Sequence, residues 1–160
     1  MAIVRLRPTT DADLDFVVKA ESDPGTRSFI VAWPRHRHVL ALHDADIAHC
    51  IAEDETQRPV GFVIVAGVTN SDSSIEFRRI VVVDTGRGYG RSIVRIVKEL
   101  AFHELKAHRL WLDVKAHNDR ARALYKSEGF TEEGMLRECI RGPAGFESLV
   151  VMSLLHDELR

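Results

Sequence analysis

A glycine-rich turn between an apolar segment and an amphipathic segment constrains the fold of this chain more than any other feature. The apolar run 80–83 is followed by glycines at positions 86, 88 and 90. Apolar residues then recur at helical spacing over 93–101, with basic residues on the opposite face. Because a continuous apolar run is typical of a strand at the centre of a sheet, the sequence predicts a buried strand that leads through this turn into a helix.

Such a turn is a candidate anion site. Glycine has no Cβ, so backbone N–H groups can approach a ligand, and the first turn of a helix offers unpaired donors at the positive end of its dipole. Arg87 and Arg91 add positive charge. The standard Walker loop and dinucleotide fingerprint are both excluded, because each requires glycine where Arg91 stands. The structural alternative is an ordinary glycine-rich turn without a ligand.

The other segments predict a mixed α/β domain. Three β-rich segments, 47–52, 60–68 and 75–83, are separated by polar turns and predict an antiparallel meander. A strand at 110–114 and a helix capped by Asn118 follow the helix after the glycines, which places a strand–helix–strand–helix unit behind the meander. The remaining predicted elements are a strand that ends at Pro8, a helix over 14–18, a loop and short helix within 29–43, and a β-rich pair at 135–140 and 146–155.

Length and composition fit one domain over residues 1–160. Hydrophobic residues make up 45% of the chain and charged residues 29%, which is ordinary for a globular protein of this size. A net charge of -2 provides no basic field for nucleic acid or an anionic membrane. The longest apolar run is too short to span a bilayer, and only two cysteines occur. We therefore expect a soluble, cytoplasmic protein that binds neither nucleic acid nor membrane.

Two separate motifs resemble the GNAT family of N-acetyltransferases. The first is the turn Arg87-Gly88-Tyr89-Gly90 with the helix after it, and the second is the run 118–130, which matches the family's Asn-x-x-Ala-x-x-Leu-Tyr segment. The resemblance is strongest from about 75 to 130. It implies a central mixed, mostly antiparallel sheet of about six to seven strands, flanked by about four helices, and acetyl-CoA as the co-substrate.

The resemblance also implies which residues bind acetyl-CoA. The family's pyrophosphate loop, Gln/Arg-x-x-Gly-x-Gly/Ala, is matched by 85–90 except at its first position, where Thr85 stands. In the family, the strand before this loop binds the pantetheine arm through its backbone. The implied cofactor-binding residues are Ile80, Val81, Val82, Arg87, Gly88, Tyr89, Gly90, Arg91, Ser92, Asn118 and Tyr125. For Asn118, the alternative is an ordinary helix cap.

Acetyl transfer to an amine needs a base for the ammonium proton and a donor for the leaving thiolate. Glu76 lies six residues before Val82, and regular alternation places both on one face of the strand, so we expect Glu76 to be the general base. The resemblance supports this role and implies that Tyr125 protonates the thiolate. Glu138 on a late strand could replace Glu76 as the base or share its task. The structural alternatives are a Glu76 carboxylate paired with Arg78 or another nearby residue, and a Tyr125 ring that only fills the core.

The acceptor amine is expected beside the irregular segment between the first two helical elements, where the family builds substrate walls. The candidates are Phe29, Trp33, His36 and His38, together with Glu138 on a late strand. The alternatives are that Phe29 and Trp33 anchor the core and that both histidines face solvent. A His-x-His pair without a third ligand is not a zinc site, so no metal is expected.

The sequence thus favours an enzyme that transfers an acetyl group from acetyl-CoA to a primary amine within a ternary complex. The acceptor, a small molecule or a protein N-terminus, stays open, and a homodimer is expected because dimers are common among such enzymes. Two alternatives remain. One is a non-catalytic acyl-CoA-binding regulatory module, and the other is a nucleotide-binding domain that uses the turn at 86–90.

Overall fold

The computed structural model describes residues 2–159, which form one seven-stranded sheet and five α-helices. The strands are β1 (Arg5–Pro8), β2 (Ile47–Glu53), β3 (Pro59–Ala66), β4 (Ser74–Val82), β5 (Arg109–Lys115), β6 (Thr131–Gly142) and β7 (Gly145–Leu155). The helices are α1 (Leu14–Glu21), α2 (Pro24–Arg27), α3 (Arg35–Leu42), α4 (Tyr89–Glu99) and α5 (Asp119–Ser127). The strand order is β1-β2-β3-β4-β5-β7-β6, which confirms the predicted mixed, mostly antiparallel sheet.

The parallel pair β4 and β5 is joined over only a short stretch at the centre of the sheet. Ser74–Glu76 pairs with Arg109–Trp111, and beyond these three residues on each strand the pairing stops. β4 continues its pairing with β3 as far as Val82, and β5 continues with β7 as far as Lys115. The two strands therefore diverge into a wedge-shaped gap whose closed end lies at Glu76.

A β-bulge in β4 changes which side chains face which side of the sheet. Phe77 pairs with Val65 and Arg79 pairs with Ile64, so Arg78 is an extra residue without a counterpart on β3. A bulge shifts the alternation of side chains by one position. The expectation that Glu76 shares a face with Val82 is therefore wrong, and Glu76 lies on the face of Arg79.

The two faces of the sheet pack against different helices. The larger core lies under α4 and α5 and includes Ile93, Val97 and Tyr125 together with Phe77 and Leu112. The smaller core lies under α1 and α3. Its members are Val17, Ala20, Trp33, Ala41, Ile51, Phe62, Ile64 and Val81. Glu76 and Arg79 thus lie on the side of the sheet that α1 to α3 cover.

A buried carboxylate joins these helices to β4. Glu21, at the end of α1, pairs with Arg79, and its Oε1 accepts hydrogen bonds from His38 Nε2 at 2.6 Å and from the Trp33 backbone N–H at 3.2 Å. Glu21 and His38 are both fully buried. A solvent-facing position for His38 is therefore wrong, because this side chain satisfies an acidic group that has no access to water.

The same network continues to β2. His38 Nδ1 lies 3.1 Å from His49 Nε2, and His49 Nδ1 lies 2.8 Å from Thr9 Oγ1. Burial, together with a smaller effect of the adjacent His38, lowers the pKa of His49 to about 4. His49 is therefore neutral in the folded protein at pH 7.

Acidification is expected to destabilise the protein through His49. Its pKa is about 4 when folded and 6.5 in the unfolded chain, so between these values the unfolded chain binds more protons and stability falls as the pH falls. Between pH 7 and pH 5, the wild type should lose roughly 1–2 kcal/mol of its free energy of unfolding through His49. In urea unfolding, the loss in His49→Asn should be smaller by this amount. His36→Asn, which changes an exposed residue of α3, is the control, and it should lose as much stability between pH 7 and pH 5 as the wild type. An unchanged pH dependence in His49→Asn would contradict this account.

Candidate active site

The gap between β4 and β5 is a cavity of about 920 Å³. β4 forms one wall over 78–82, and β5 forms the other over 113–115. The glycine turn and the starts of α4 and α5 line its end on the larger-core side of the sheet, and segment 25–31 lines its end on the opposite side, where Lys115 contacts the Ser28 carbonyl. The strand, turn and helix that the sequence predicted as an anion site therefore meet at one cavity.

The glycine turn has the backbone conformation that its residues suggest. Gly86 and Gly88 have φ angles of 83° and 81°, in the left-handed region that side chains rarely adopt, and Gly88 caps the N-terminus of α4. A Cβ at either position would meet no atom within 4 Å, so the space beside the turn is open. The first N–H groups of α4 can therefore donate to an anion in the cavity.

Most residues predicted to bind the cofactor line this cavity. They are Ile80, Val81, Val82, Gly88, Tyr89, Gly90, Arg91 and Asn118. Asn118 Oδ1 also accepts a hydrogen bond from the Ala121 N–H at 3.2 Å, so this residue is a helix cap as well as part of the wall. Arg91 pairs with Glu128 at 2.6 Å and leaves part of its guanidinium exposed.

Three predicted cofactor residues lie outside the cavity wall. Arg87 points outward, where it pairs with Asp84 at 3.0 Å. Ser92 is buried, and its hydroxyl donates to the Ala2 carbonyl at 2.6 Å. The Tyr125 ring packs in the larger core against Phe130, with ring centroids 5.7 Å apart. Ser92 lies on the core face of α4, and Arg87 lies in the turn before the helix begins, so neither side chain is part of the cavity wall.

Tyr125 lies in the larger core, as expected if its ring serves packing. It is 7% exposed, one helical turn from Ala121, which lines the cavity. Burial raises the pKa of its hydroxyl well above the usual value of 10, so the hydroxyl keeps its proton at neutral pH. Its role as an acid stays a prediction.

Two carboxylates lie near the closed end of the gap. Glu76 Oε1 accepts hydrogen bonds from Arg78 Nε at 3.1 Å and Nη2 at 2.9 Å, so the anticipated pairing is present. Asp113 lines the cavity from β5 and has no hydrogen bond or ion pair with any residue in 2–159. Partial burial raises the pKa of Asp113, and the charge of Glu76 raises it further.

Sequence reasoning missed Asp113, although its position carries a signal. Leu112 and Val114 pack in the larger core, so Asp113 and Lys115 face the opposite side of β5. Lys115 confirms this orientation, because its Nζ donates to the Ser28 carbonyl at 3.2 Å. A charged residue between two core residues of a central strand is a candidate for a cavity wall.

Of the residues predicted to bind the acceptor, only Phe29 lines the cavity. Trp33 is buried in the smaller core with the Arg37 guanidinium 3.9 Å from its ring centroid, and His36 is exposed on α3. Glu138 is exposed on β6, within the irregular register between Leu136 and Ile140, and it is not among the residues that line the cavity. The cavity placements predicted for Trp33, His36 and Glu138 are therefore wrong.

Neither a metal centre nor a membrane span is found in the part of the chain that the structure describes. No three or more His, Cys, Asp or Glu side chains within residues 2–159 are grouped so that they could hold a metal ion. No helix in the same range has the length and apolar character needed to cross a bilayer.

Comparison with known proteins identifies the family. The sequence model of the Acetyltransferase (GNAT) domain matches residues 4–131, and the chain belongs to this family. It is 30% identical to spermidine N(1)-acetyltransferase of Vibrio cholerae over 98 residues, which are 61% of this chain and 57% of that protein. It is 32% identical over 73 residues to the Bacillus subtilis protein named Probable N-acetyltransferase YjcK, covering 46% of this chain and 40% of the relative.

Solved structures confirm the fold. The crystal structure of spermidine N-acetyltransferase from Vibrio cholerae in complex with CoA and spermine superposes with a TM-score of 0.88 at 22% identity, covering 97% of this chain and 96% of that chain. A dodecameric structure of the same enzyme gives a TM-score of 0.82 at 22% identity and covers 96% and 94% of the two chains. The family and the predicted GNAT fold are both confirmed.

Gly88→Ala is expected to weaken acetyl-CoA binding by about tenfold. An alanine at this φ costs roughly 1–2 kcal/mol, and relieving that strain would turn the N–H donors away from the cavity. Calorimetric titration with acetyl-CoA measures the effect. Gly134→Ala on β6 is the matched control, because its Cβ also meets no atom within 4 Å and its backbone has no left-handed strain. Equal affinities in the two variants would show that the turn does not bind the cofactor.

Proposed function

We propose that this protein transfers the acetyl group of acetyl-CoA to a primary amine of a small molecule, within a ternary complex. The observation that carries the proposal is the gap between β4 and β5, which opens onto the N-terminus of α4. Beyond Glu76, the backbone of β4 has no partner strand on the β5 side. The amide groups of a pantetheine arm can take the place of that strand.

The end of the cavity beside α4 suits a pyrophosphate. Arg91 and Arg120 line it together with the N–H groups of the glycine turn. Asp84 lies on the same wall, and Arg58 and Arg87 pair with its carboxylate at 3.1 and 3.0 Å. These ion pairs offset the one negative charge that would repel the phosphates.

We place the thioester at the end of the cavity away from α4, and the reaction follows from this position. The neutral amine nitrogen attacks the thioester carbonyl carbon, and the oxyanion that forms accepts a hydrogen bond from the backbone N–H near Val82. The carbon–sulfur bond then breaks, the thiolate of CoA takes a proton, which we assign to the Tyr125 hydroxyl, and the positively charged nitrogen of the intermediate loses its second proton to water. Tyr125 recovers a proton from water. Glu76 takes the proton that the ammonium must lose, directly or through water.

Calorimetry with acetyl-CoA, followed by measurement of free thiol with a panel of amines, tests the proposal. Binding with amine-dependent thiol release is expected. Binding with no release for any amine, including peptides with free N-termini, would instead support a non-catalytic acyl-CoA-binding module. Displacement of CoA by ATP or NAD would support a nucleotide-binding domain.

Glu76→Gln is expected to lower kcat by about 10²–10⁴-fold and to leave acetyl-CoA affinity unchanged. Glutamine keeps an oxygen that can accept the hydrogen bonds from Arg78 but cannot take a proton at neutral pH. Glu138→Gln, an exposed carboxylate outside the cavity, should keep wild-type kcat. Full activity in Glu76→Gln would exclude Glu76 as the base and would leave Asp113 as the carboxylate in position to act.

Tyr125→Phe is expected to lower kcat by about 10²-fold with acetyl-CoA binding retained. The change removes a hydroxyl that makes no hydrogen bond within the described residues, and the ring still packs against Phe130. Single-turnover thiol release measures the effect, and thermal unfolding checks that the core is intact. Unchanged turnover would mean that Tyr125 serves packing only.

A cytoplasmic location and a homodimer are part of the same proposal. Cys50 and Cys139 are both unpaired, which fits a reducing compartment. β6 is an edge strand, and its Met135 and Leu136 side chains are 52% and 50% exposed. Exposed apolar side chains at a sheet edge offer a surface on which a second copy can pack. Light scattering on the purified protein measures the assembly.

A further inference from the structure

We propose that the acceptor is a monoamine with an apolar body, bound through its single ammonium by Asp113, and not a linear polyamine. The inference rests on the proposed acetyl transfer and adds the class of acceptor to it. It follows from three properties of the cavity beside segment 25–31: its carboxylates, the charge of the chain that covers it, and its apolar walls.

Asp113 is the one wall carboxylate, among the described residues, that is available to an acceptor. The cavity wall carries two carboxylates, and the other, Asp84, lies at the phosphate end in ion pairs with Arg58 and Arg87. The Asp113 side chain makes no hydrogen bond or ion pair within residues 2–159, although the charge of Arg78 acts on it, and it faces the side of the sheet that segment 25–31 borders. An ammonium group placed there gains an ion pair that no protein group supplies, and because it is the acceptor's single nitrogen it passes a proton to Glu76 before it attacks the thioester.

The neighbouring carboxylates are already paired with cations. Glu76 pairs with Arg78, and Glu21 pairs with Arg79 and His38. Glu147 lies 3.4 Å from Lys115 and 2.9 Å from His117. These groups neutralise the cationic side chains around the acceptor end and leave little negative charge for additional ammonium groups.

Segment 24–42, which covers this side of the sheet together with α1, has no acidic residue, and the α1 carboxylates Asp15 and Glu21 are already paired with Arg35 and with Arg79 and His38. Residues 24–42, which include α2 and α3, contain Arg27, Arg35 and Arg37 but no Asp or Glu. A linear polyamine that reached from Asp113 toward this segment would find no carboxylate within residues 24–42 for its other ammonium groups. Each unpaired charge would lose hydration without gaining a partner, so polyamines should bind poorly.

The same end of the cavity has apolar walls. Phe29, Ile30 and Val31 line it from segment 25–31, and Ile140 and Leu149 line it from β6 and β7. Phe29 and Val31 are 39% and 62% exposed, so both have apolar surface that a ligand could cover. Each methylene that a ligand buries there should raise affinity by roughly fourfold.

Two series of amines test the proposal with acetyl-CoA present. One contains propylamine, hexylamine and 2-phenylethylamine, and the other contains putrescine, spermidine and spermine. Turnover is followed by thiol release, and binding to the CoA complex is followed by calorimetry. We expect kcat/KM for 2-phenylethylamine to exceed that for spermidine at least tenfold, and affinity to rise from propylamine to hexylamine.

Variants separate the two determinants. Asp113→Asn should raise the KM for 2-phenylethylamine at least tenfold, with a smaller change in kcat, whereas Glu138→Gln should change neither. Phe29→Ala should reduce the preference for 2-phenylethylamine over propylamine by roughly tenfold. Acetyl-CoA affinity should stay unchanged in all three variants.

The outcomes distinguish a failure of the monoamine assignment from a failure of the proposed acetyl transfer. If spermidine or spermine is the better substrate, or if Asp113→Asn leaves the KM unchanged, the monoamine assignment is wrong and the acetyl transfer stands. If no amine releases thiol although acetyl-CoA binds, the proposed function is wrong. Calorimetry then still decides the ligand class, because tighter binding of the polyamines would overturn the monoamine assignment by itself.

Discussion

The short pairing between β4 and β5 is the constraint on which the rest of the site depends. Three residues on each strand join β4 to β5 at the centre of the sheet. Beyond them, the sides of the two strands that face each other have no backbone partner. Unpaired backbone groups in the interior cost free energy, so a ligand that offers amides in the gap gains hydrogen bonds that the protein alone does not form. The glycine turn stands at the open end of this gap because β4 leads directly into α4. One feature of the sheet thus creates both the channel and its anion-binding end.

The bulge at Arg78 determines what meets the ligand at the closed end. By shifting the alternation of β4, it directs Glu76 and Arg79 to the side covered by α1 to α3 and leaves Val82 with the larger core. Arg79 is then held by the fully buried Glu21, which His38 also contacts. The buried polar network therefore fixes a cavity wall, and it ties the helices of the acceptor side to the strand that approaches the cofactor.

Local patterns in the sequence predicted most of the fold. The meander, the glycine turn, α4 and the Asn118 cap each depend on residues close together in the chain, and all are confirmed. The predictions for the face of Glu76 and the position of Glu138 were wrong. Both positions depend on irregularities in strand pairing, which involve a partner strand distant in sequence. The burial of His38 depends likewise on a carboxylate 17 residues away. The cofactor side of the site could therefore be predicted from motifs, and the acceptor side could not.

A crystal structure of the protein grown with CoA would test the central claim most directly. We expect the pantetheine arm to lie between β4 and β5, with its amides hydrogen-bonded to the backbone of 78–82. We also expect the pyrophosphate to accept hydrogen bonds from N–H groups of 86–91. A CoA molecule bound elsewhere, with the gap closed or filled by water, would contradict this claim.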